Sequence, residues 1–471
     1  MNRHRKFFWR REKGSIKKTS RIILITVMIV LGAFALVTFN FSQGSGSIGT
    51  DKSDEPSATA LSAVTLSTRE LDGAHPSFLY GRITTKNDIT YEGRLRFGGN
   101  QEACWNHYFN GVKDENPWSS YLPVNQVKKR RKLKLFGFEF NTPTPKSDFD
   151  RPFMVRFGDI ALIENNGTKV RVTLKGGTTF DLDRFEASDF DDGVRVWDQV
   201  KGMVDLEPRH IRAIKFIPTT QKEAVPHFLH GTVRTDSGDF TGYILWDQSK
   251  CLGSDEFVGT NSDATEFRLH FDMIRSIERH TPDNSVVAMI NGNKIVLSGT
   301  HVFGHGNRGI LIHFQRLGRV LVSWDVFERV DFSPTSSGPT YNDFPPGRPL
   351  TGKVTTSTGK SLNGRLVFDL DESETTETLD ASSKGVHYTI PFGQIKSIDL
   401  SKTEKSGSQH VRLVLINGET LQLERTGDLS EKNAGILVFV QENKQPDYLM
   451  WKNIMRIDFD KSGILSSGLS N

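Results

Sequence analysis

The chain has 471 residues, a quarter of them charged, with 42 glycines and 32 phenylalanines but only two cysteines. Two cysteines exclude a disulfide-stapled fold, so stability must come from buried apolar surface, for which the length suffices. The net charge of +4 does not indicate nucleic-acid binding. Residues 1–21 carry nine Lys/Arg against Glu12 alone, which leaves the other 450 residues at a net −4.

Behind this basic tail (1–21) lies an uncharged, apolar run at 22–41. As a helix rising ~1.5 Å per residue it would span about 30 Å, the thickness of a bilayer core. The basic flank predicts a cytoplasmic amino end and an extracytoplasmic bulk. A cleaved signal peptide fits less well, because the run is too long and Asn40-Phe41-Ser42-Gln43 offers no small-x-small cleavage site. Residues 42–77, rich in Ser, Gly, Thr and Asp, read as a flexible linker.

Three copies of one pattern follow, at 78–218, 226–334 and 348–460, with a short tail at 461–471. Each opens with a paired motif: Leu79-Tyr-Gly81-Arg-Ile83-Thr-Thr85 then Gly93-Arg-Leu95; Leu229-His-Gly231-Thr-Val233-Arg-Thr235 then Gly242-Tyr-Ile244; Leu350-Thr-Gly352-Lys-Val354-Thr-Thr356 then Gly364-Arg-Leu366. Duplicated units at such spacing set the architecture. Each second half carries alternating apolar runs around Gly176-Gly177, Asn291-Gly292 or Asn417-Gly418, which predicts hairpins with type I′ turns. Both halves close on apolar residues three apart and then alternating, as in Phe392-Gly-Gln-Ile395-Lys-Ser-Ile398. That cadence predicts one helical turn feeding a last strand.

The count is about five strands per half, so the expected class is all-β, with scarce helix beyond the anchor. Five short strands with a helical turn before the last resemble SH3-like and Sm-like small barrels. The resemblance is architectural and implies six barrels in three pairs; a six-bladed propeller is the competing layout. Trp246, Trp324 and Trp451 are expected in the cores.

Chemistry-bearing motifs are sparse. His301 and His305 lie four apart but among four glycines, with His313 beyond, and the acidic groups at 181–192 and 369–374 lack calcium-loop register. Nucleophile and phosphate-loop signatures are missing. The expectation is a protein with no catalytic residues, no metal and no cofactor. Cys104 and Cys251 are expected to be small apolar side chains rather than a disulfide.

One segment departs from the repeat, an insertion at 98–152 in the first copy. It is aromatic and basic, with Trp105, Trp118 and Phe138 around Lys128, Lys129, Arg130, Arg131 and Lys132. This combination is the candidate binding surface, with the aromatics as buried anchors and the cations steering association. The expected role is a non-enzymatic envelope scaffold or adaptor. Expected partners are envelope proteins, the membrane surface or a cell-wall polymer, and no nucleic acid. A glycan- or ligand-binding receptor, and an enzyme with an unfamiliar site, are the alternatives.

Overall fold

A computed structural model describes residues 73–98, 101–121, 134–135, 138–139, 152–184, 187–299, 302–314, 318–333, 335, 337–401, 410–440 and 445–460. The basic tail, the apolar run at 22–41 and the cationic residues 128–132 lie outside them. Among the described residues no helix is long and apolar enough to cross a membrane.

The described chain is all-β, with one four-residue helix, α1 (Ser188–Asp191). Repeat 1 runs β1 (Tyr80–Thr85), β2 (Thr90–Phe97), β3 (Tyr108–Val112), the insertion's β4 (Lys134–Leu135) and β5 (Phe138–Glu139), β6 (Pro152–Arg156), β7 (Ile160–Asn165), β8 (Lys169–Leu174), β9 (Thr179–Asp183), β10 (Val194–Asp198), β11 (Gly202–Leu206) and β12 (Ile211–Phe216). Repeat 2 runs β13 (His230–Thr235), β14 (Gly238–Leu245), β15 (Glu256–Thr260), β16 (Glu266–His270), β17 (Ile274–Thr281), β18 (Asn284–Met289), β19 (Lys294–Ser298), β20 (Ile310–Phe314), β21 (Gly318–Val322) and β22 (Phe327–Phe332). Repeat 3 runs β23 (Thr351–Thr356), β24 (Ser361–Phe368), β25 (Thr378–Ser383), β26 (Val386–Pro391), β27 (Ile395–Asp399), β28 (His410–Leu415), β29 (Thr420–Glu424), β30 (Ile436–Phe439), β31 (Asp447–Leu449) and β32 (Ile454–Phe459). Setting β4 and β5 aside, each half-repeat supplies five strands, as its alternation predicts.

The halves are not self-contained. Repeat 2 has the order β16-β15-β19-β18-β17-β22-β13-β14-β20-β21, so its strands sort into two groups that cross the half boundary. One group takes the first two strands of the first half and the last three of the second (β13, β14, β20, β21, β22). The other takes the remaining five. Repeat 1 shows the same exchange in β11-β10-β2-β1-β12-β7-β8-β9, and repeat 3 in β29-β28-β27-β32-β23-β24-β30-β31. The two groups join through the pairs β7–β12, β17–β22 and β27–β32.

Local rules account for most elements. The expected helical turn is a 3₁₀ turn at Phe157–Asp159, Pro208–His210, Phe271–Met273, Phe392–Gln394 and Trp451–Asn453. The paired-motif glycines sit where strands cross. A Cβ on Gly93, Gly242 or Gly364 would lie 1.8, 2.3 or 2.2 Å from the carbonyl oxygen of Trp197, His313 or Phe439. The motif's last threonine is buried at Thr85, Thr235 and Thr356, where the register of the strand shifts. Thr85 Oγ1 accepts from the Ile89 amide and Thr235 Oγ1 from the Ser237 amide, so these threonines brace a turn.

The turn assignment needs correction. Asn291 and Asn417 keep negative φ, while Gly292 and Gly418 sit at +94° and +91°. The amides of Met289 and Leu415 bond the carbonyls of Asn293 and Glu419. These are three-residue hairpin loops with the glycine left-handed. Type I′ geometry instead occurs at Asp247-Gln248 and Asp369-Leu370, where both φ values are positive and the Ser249 and Asp371 amides bond the carbonyls of Trp246 and Phe368.

Trp246, Trp324 and Trp451 are core residues, and one apolar cluster runs through repeats 2 and 3 while a second joins repeat 1 to repeat 2. Cys104 and Cys251 are buried free thiols, and burial pushes the Cys104 thiol up to about 12. Gly73–Ser77, the end of the expected linker, is packed: the Ser77 hydroxyl donates to the Gly338 carbonyl at 2.8 Å.

Candidate interaction surface

Within each repeat, a cross-strand pair on the second and eighth strands forms an outward face: Arg94↔Trp197, Tyr243↔His313 and Arg365↔Phe439. The insertion of repeat 1 covers two of these three faces. Trp105, fully buried, lies 5.0 Å from the Tyr243 ring, 5.8 Å from His313 and 5.5 Å from Phe228. Trp118, half-buried, lies 5.8 Å from the Phe439 ring, with the Arg365 guanidinium 5.3 Å over its own ring. Two of the three predicted aromatic anchors, Trp105 and Trp118, therefore contact residues of the same chain. Phe138 is placed on β5, paired with Leu135.

Between these tryptophans the insertion grips repeat 3 through polar groups. Lys113 Nζ, 4% exposed, donates to Asp371 Oδ1 at 2.7 Å and Glu377 Oε1 at 2.5 Å. Asn116 Nδ2 donates to the Leu370 carbonyl at 3.2 Å. Leu370 is a buried leucine at φ +56°, a conformation that a branched side chain disfavours. The clasp thus closes on the strained turn of repeat 3. Lys113 could not be singled out in the sequence, because its carboxylate partners are some 260 residues away.

Two buried histidines near the junction of repeats 1 and 2 are held neutral, and a buried carboxyl in repeat 1 is shifted toward its neutral form. His107 and His313 are pushed down to about 3, first by burial and then by nearby arginines, with Arg319 acting on both. Asp189 is pushed up to about 6 by burial, although the Asn110 amides and Gln101 Nε2 donate to it. Arg156 pairs with Asp159 at 2.6 Å.

The break after repeat 2 also serves as a contact. Tyr341–Asp343 forms a 3₁₀ turn capped by Thr340, and Phe344 behind it is buried against repeat 1. Lys175 Nζ donates to the Tyr341 and Phe344 carbonyls, and the Tyr341 hydroxyl donates to Ile160 O at 2.8 Å.

Of the metal candidates, His301 lies outside the described residues. His305 is exposed against Asp283, while His313 is buried. Among the described residues no group of His, Cys, Asp or Glu could hold a metal ion. Two cavities stand out: one of about 270 Å³ in repeat 3 and one of about 220 Å³ over Trp197 in repeat 1. The chain matches no protein-family model, no curated protein and no solved structure.

Proposed function

We propose that this protein is a membrane-anchored, extracytoplasmic β-repeat adaptor that holds envelope proteins, the membrane surface or cell-wall polymer and performs no catalysis. The carrying observation is where the distinctive residues go. Trp105, Lys113, Trp118, Tyr341 and Phe344 all tie one repeat to another, as expected of a platform that presents surfaces. In each repeat the group made of the first two and last three strands ends on a turn followed by a strand that pairs back on its first (β12 on β1, β22 on β13, β32 on β23), which supports reading it as an SH3-like barrel with the other group inserted into it. The apolar run at 22–41 supplies the anchor, and the cations at 128–132 are the steering surface.

Three experiments test this reading. Carbonate washing should leave the full-length protein in the membrane, and protease added on the extracytoplasmic side should reach residues 78–460. Release by carbonate, or protection from that protease, overturns the topology. Crosslinking from the insertion in intact cells should trap envelope components.

A ligand-binding reading has one observation in its favour. The cavity over Trp197 is also lined by Tyr80, Asp198, Gln221 and Glu223, and Trp197 Nε1 and Gln221 Oε1 are buried there without hydrogen-bond partners. Titration with soluble cell-wall glycan fragments, followed by tryptophan fluorescence, tests it: a saturable change abolished by Trp197→Phe supports this second reading.

A further inference from the structure

Every repeat builds the same groove, and its three copies differ in what fills them. One wall is the 3₁₀ turn before the fifth strand; the other is the hairpin loop that follows. The Lys175, Ile290 and Ile416 amides bond the carbonyls of Asp159, Met273 and Gln394, at 2.9, 3.0 and 3.0 Å. In repeat 1 the groove is occupied by the chain's own Thr340-Tyr-Asn-Asp-Phe344 turn. The Phe344 ring lies directly on Gly158, where a Cβ would come within 2.4 Å of the ring, and Lys175 holds the turn's carbonyls. Repeat 2 has Asp272 in place of this glycine and presents Met273 and Ile290, 45% and 62% exposed.

Repeat 3 restores the glycine as Gly393, and among the described residues Thr375, 3.2 Å from where a Cβ would lie, packs on it in place of a ring. Its groove is the cavity of about 270 Å³, walled by Phe392, Gly393 and Ile416, with Arg348, Thr375 and Asp460 at its rim. Ile416 is 44% exposed. Among the described residues the Arg348 guanidinium makes no ion pair, so it can offer to a docked turn the donors that Lys175 supplies in repeat 1. The tail at 461–471 lies outside the described residues, and its sequence, Lys-Ser-Gly-Ile-Leu-Ser-Ser-Gly-Leu-Ser-Asn, contains no aromatic residue.

We infer that the repeat 3 groove is a docking site for a partner protein's aromatic turn, two rings three residues apart with the turn's carbonyls facing Arg348. The chain's own Tyr341–Phe344 turn is the template for that ligand. This deepens the adaptor reading and rests on it. A peptide assay can fail while cellular capture proceeds through another surface, so the two failures are distinguishable.

The probe is a fluorescent peptide of sequence Gly-Pro-Thr-Tyr-Asn-Asp-Phe-Pro-Pro, titrated against the full chain by anisotropy. Saturable binding is expected, at least about tenfold weaker for Ile416→Glu and roughly threefold weaker for Arg348→Ser. Ile290→Glu in repeat 2 should change nothing, and a peptide with both rings replaced by alanine should not bind. Ile416 is exposed enough to tolerate the change, and a melting curve verifies folding. No saturation by about 1 mM peptide overturns the inference, as does binding indifferent to Ile416→Glu with folding intact. If deleting 461–471 tightens binding about tenfold, the groove belongs to the chain's own tail and the partner reading is wrong. If the peptide instead dissolves a dimer seen by sedimentation, the occupant is a second copy, which equally overturns it.

Discussion

At Gly93, Gly242 and Gly364 a single methyl group would meet the carbonyl of the facing strand at 2.3 Å or less, so each should behave as a close-packed core position. Gly364→Ala is expected to cost roughly 3 kcal/mol, because two paired strands must separate to admit it. Gly418 poses a different constraint: a Cβ there meets open space, but φ is +91°. Gly418→Ala should cost only about 1–2 kcal/mol, all of it backbone strain. Urea midpoints at constant slope measure both, and a Gly364→Ala midpoint equal to that of the parent would refute the close crossing. The buried histidines set a pH dependence at the same scale. His107 and His313 titrate at about 3 in the folded protein, against an ordinary value of 6.5 in the unfolded chain. Between those values the unfolded chain binds more protons, so their contribution is complete above pH 6.5 and is lost progressively as pH falls from there toward about 3. Asp189, at about 6 folded against an ordinary 3.8, acts in the opposite sense and offsets about one histidine between those values. Stability should therefore fall from about pH 7.5 to about pH 5, and His313→Gln should flatten the slope. An unchanged slope in that variant would show that His313 is not held neutral.

Among the elements, the insertion's clasp is the most consequential contact, since it joins residues far apart in sequence through a nearly dry ion pair. Removing one member of a buried pair strands the others without compensation, so Lys113→Ala should cost about 3–5 kcal/mol. Replacing the whole group together, as Lys113→Met with Asp371→Asn and Glu377→Gln, should recover most of that loss, because the carboxylates no longer need a cation. A thermal melt of both variants checks this. A loss below about 1 kcal/mol for Lys113→Ala would mean that the pair is solvent-screened. The insertion was legible as a departure from the repeat that carries conspicuous aromatic residues. Its target was not, since nothing near Trp118 or Lys113 in the sequence points to Phe439 or Asp371.

For the whole molecule, the described repeats are nearly free of helix, so far-ultraviolet circular dichroism of the chain from Gly73 onward should give a β spectrum. A helix content near the ordinary globular third would contradict the fold. Replacing Lys128, Lys129, Arg130, Arg131 and Lys132 with Ser should leave the melting temperature within about 2 °C, since surface substitutions away from buried features change stability little. The same change should slow partner or membrane-surface capture at low salt and have less effect at high salt, where charges beyond a Debye length are screened. Capture that survives it undiminished would reduce the run to a solvated loop.

The strands, the short turns before closing strands and the tryptophan cores were determined locally. Alternation of period two, a left-handed glycine in a tight loop and an aromatic against its neighbours each act over a short stretch of chain, so the sequence displays them directly. Thr85, Thr235 and Thr356 marked their own positions but not their burial, which depends on the register shift opposite them. Only the tertiary structure decided which strands pair. The first and second halves of a repeat carry equivalent patterns, so β2 satisfies its backbone equally well beside a strand of either half; closeness in space, not in sequence, makes β10 its neighbour. The same holds for turn type, since Asp247 and Asp369 in the two turns with paired positive φ accept from the Arg308 and Ala434 amides, 61 and 65 residues further on, and for the grooves. Gly158 and Gly393 look identical in sequence, and whether an aromatic ring covers the glycine depends on where the segment 334–349 runs.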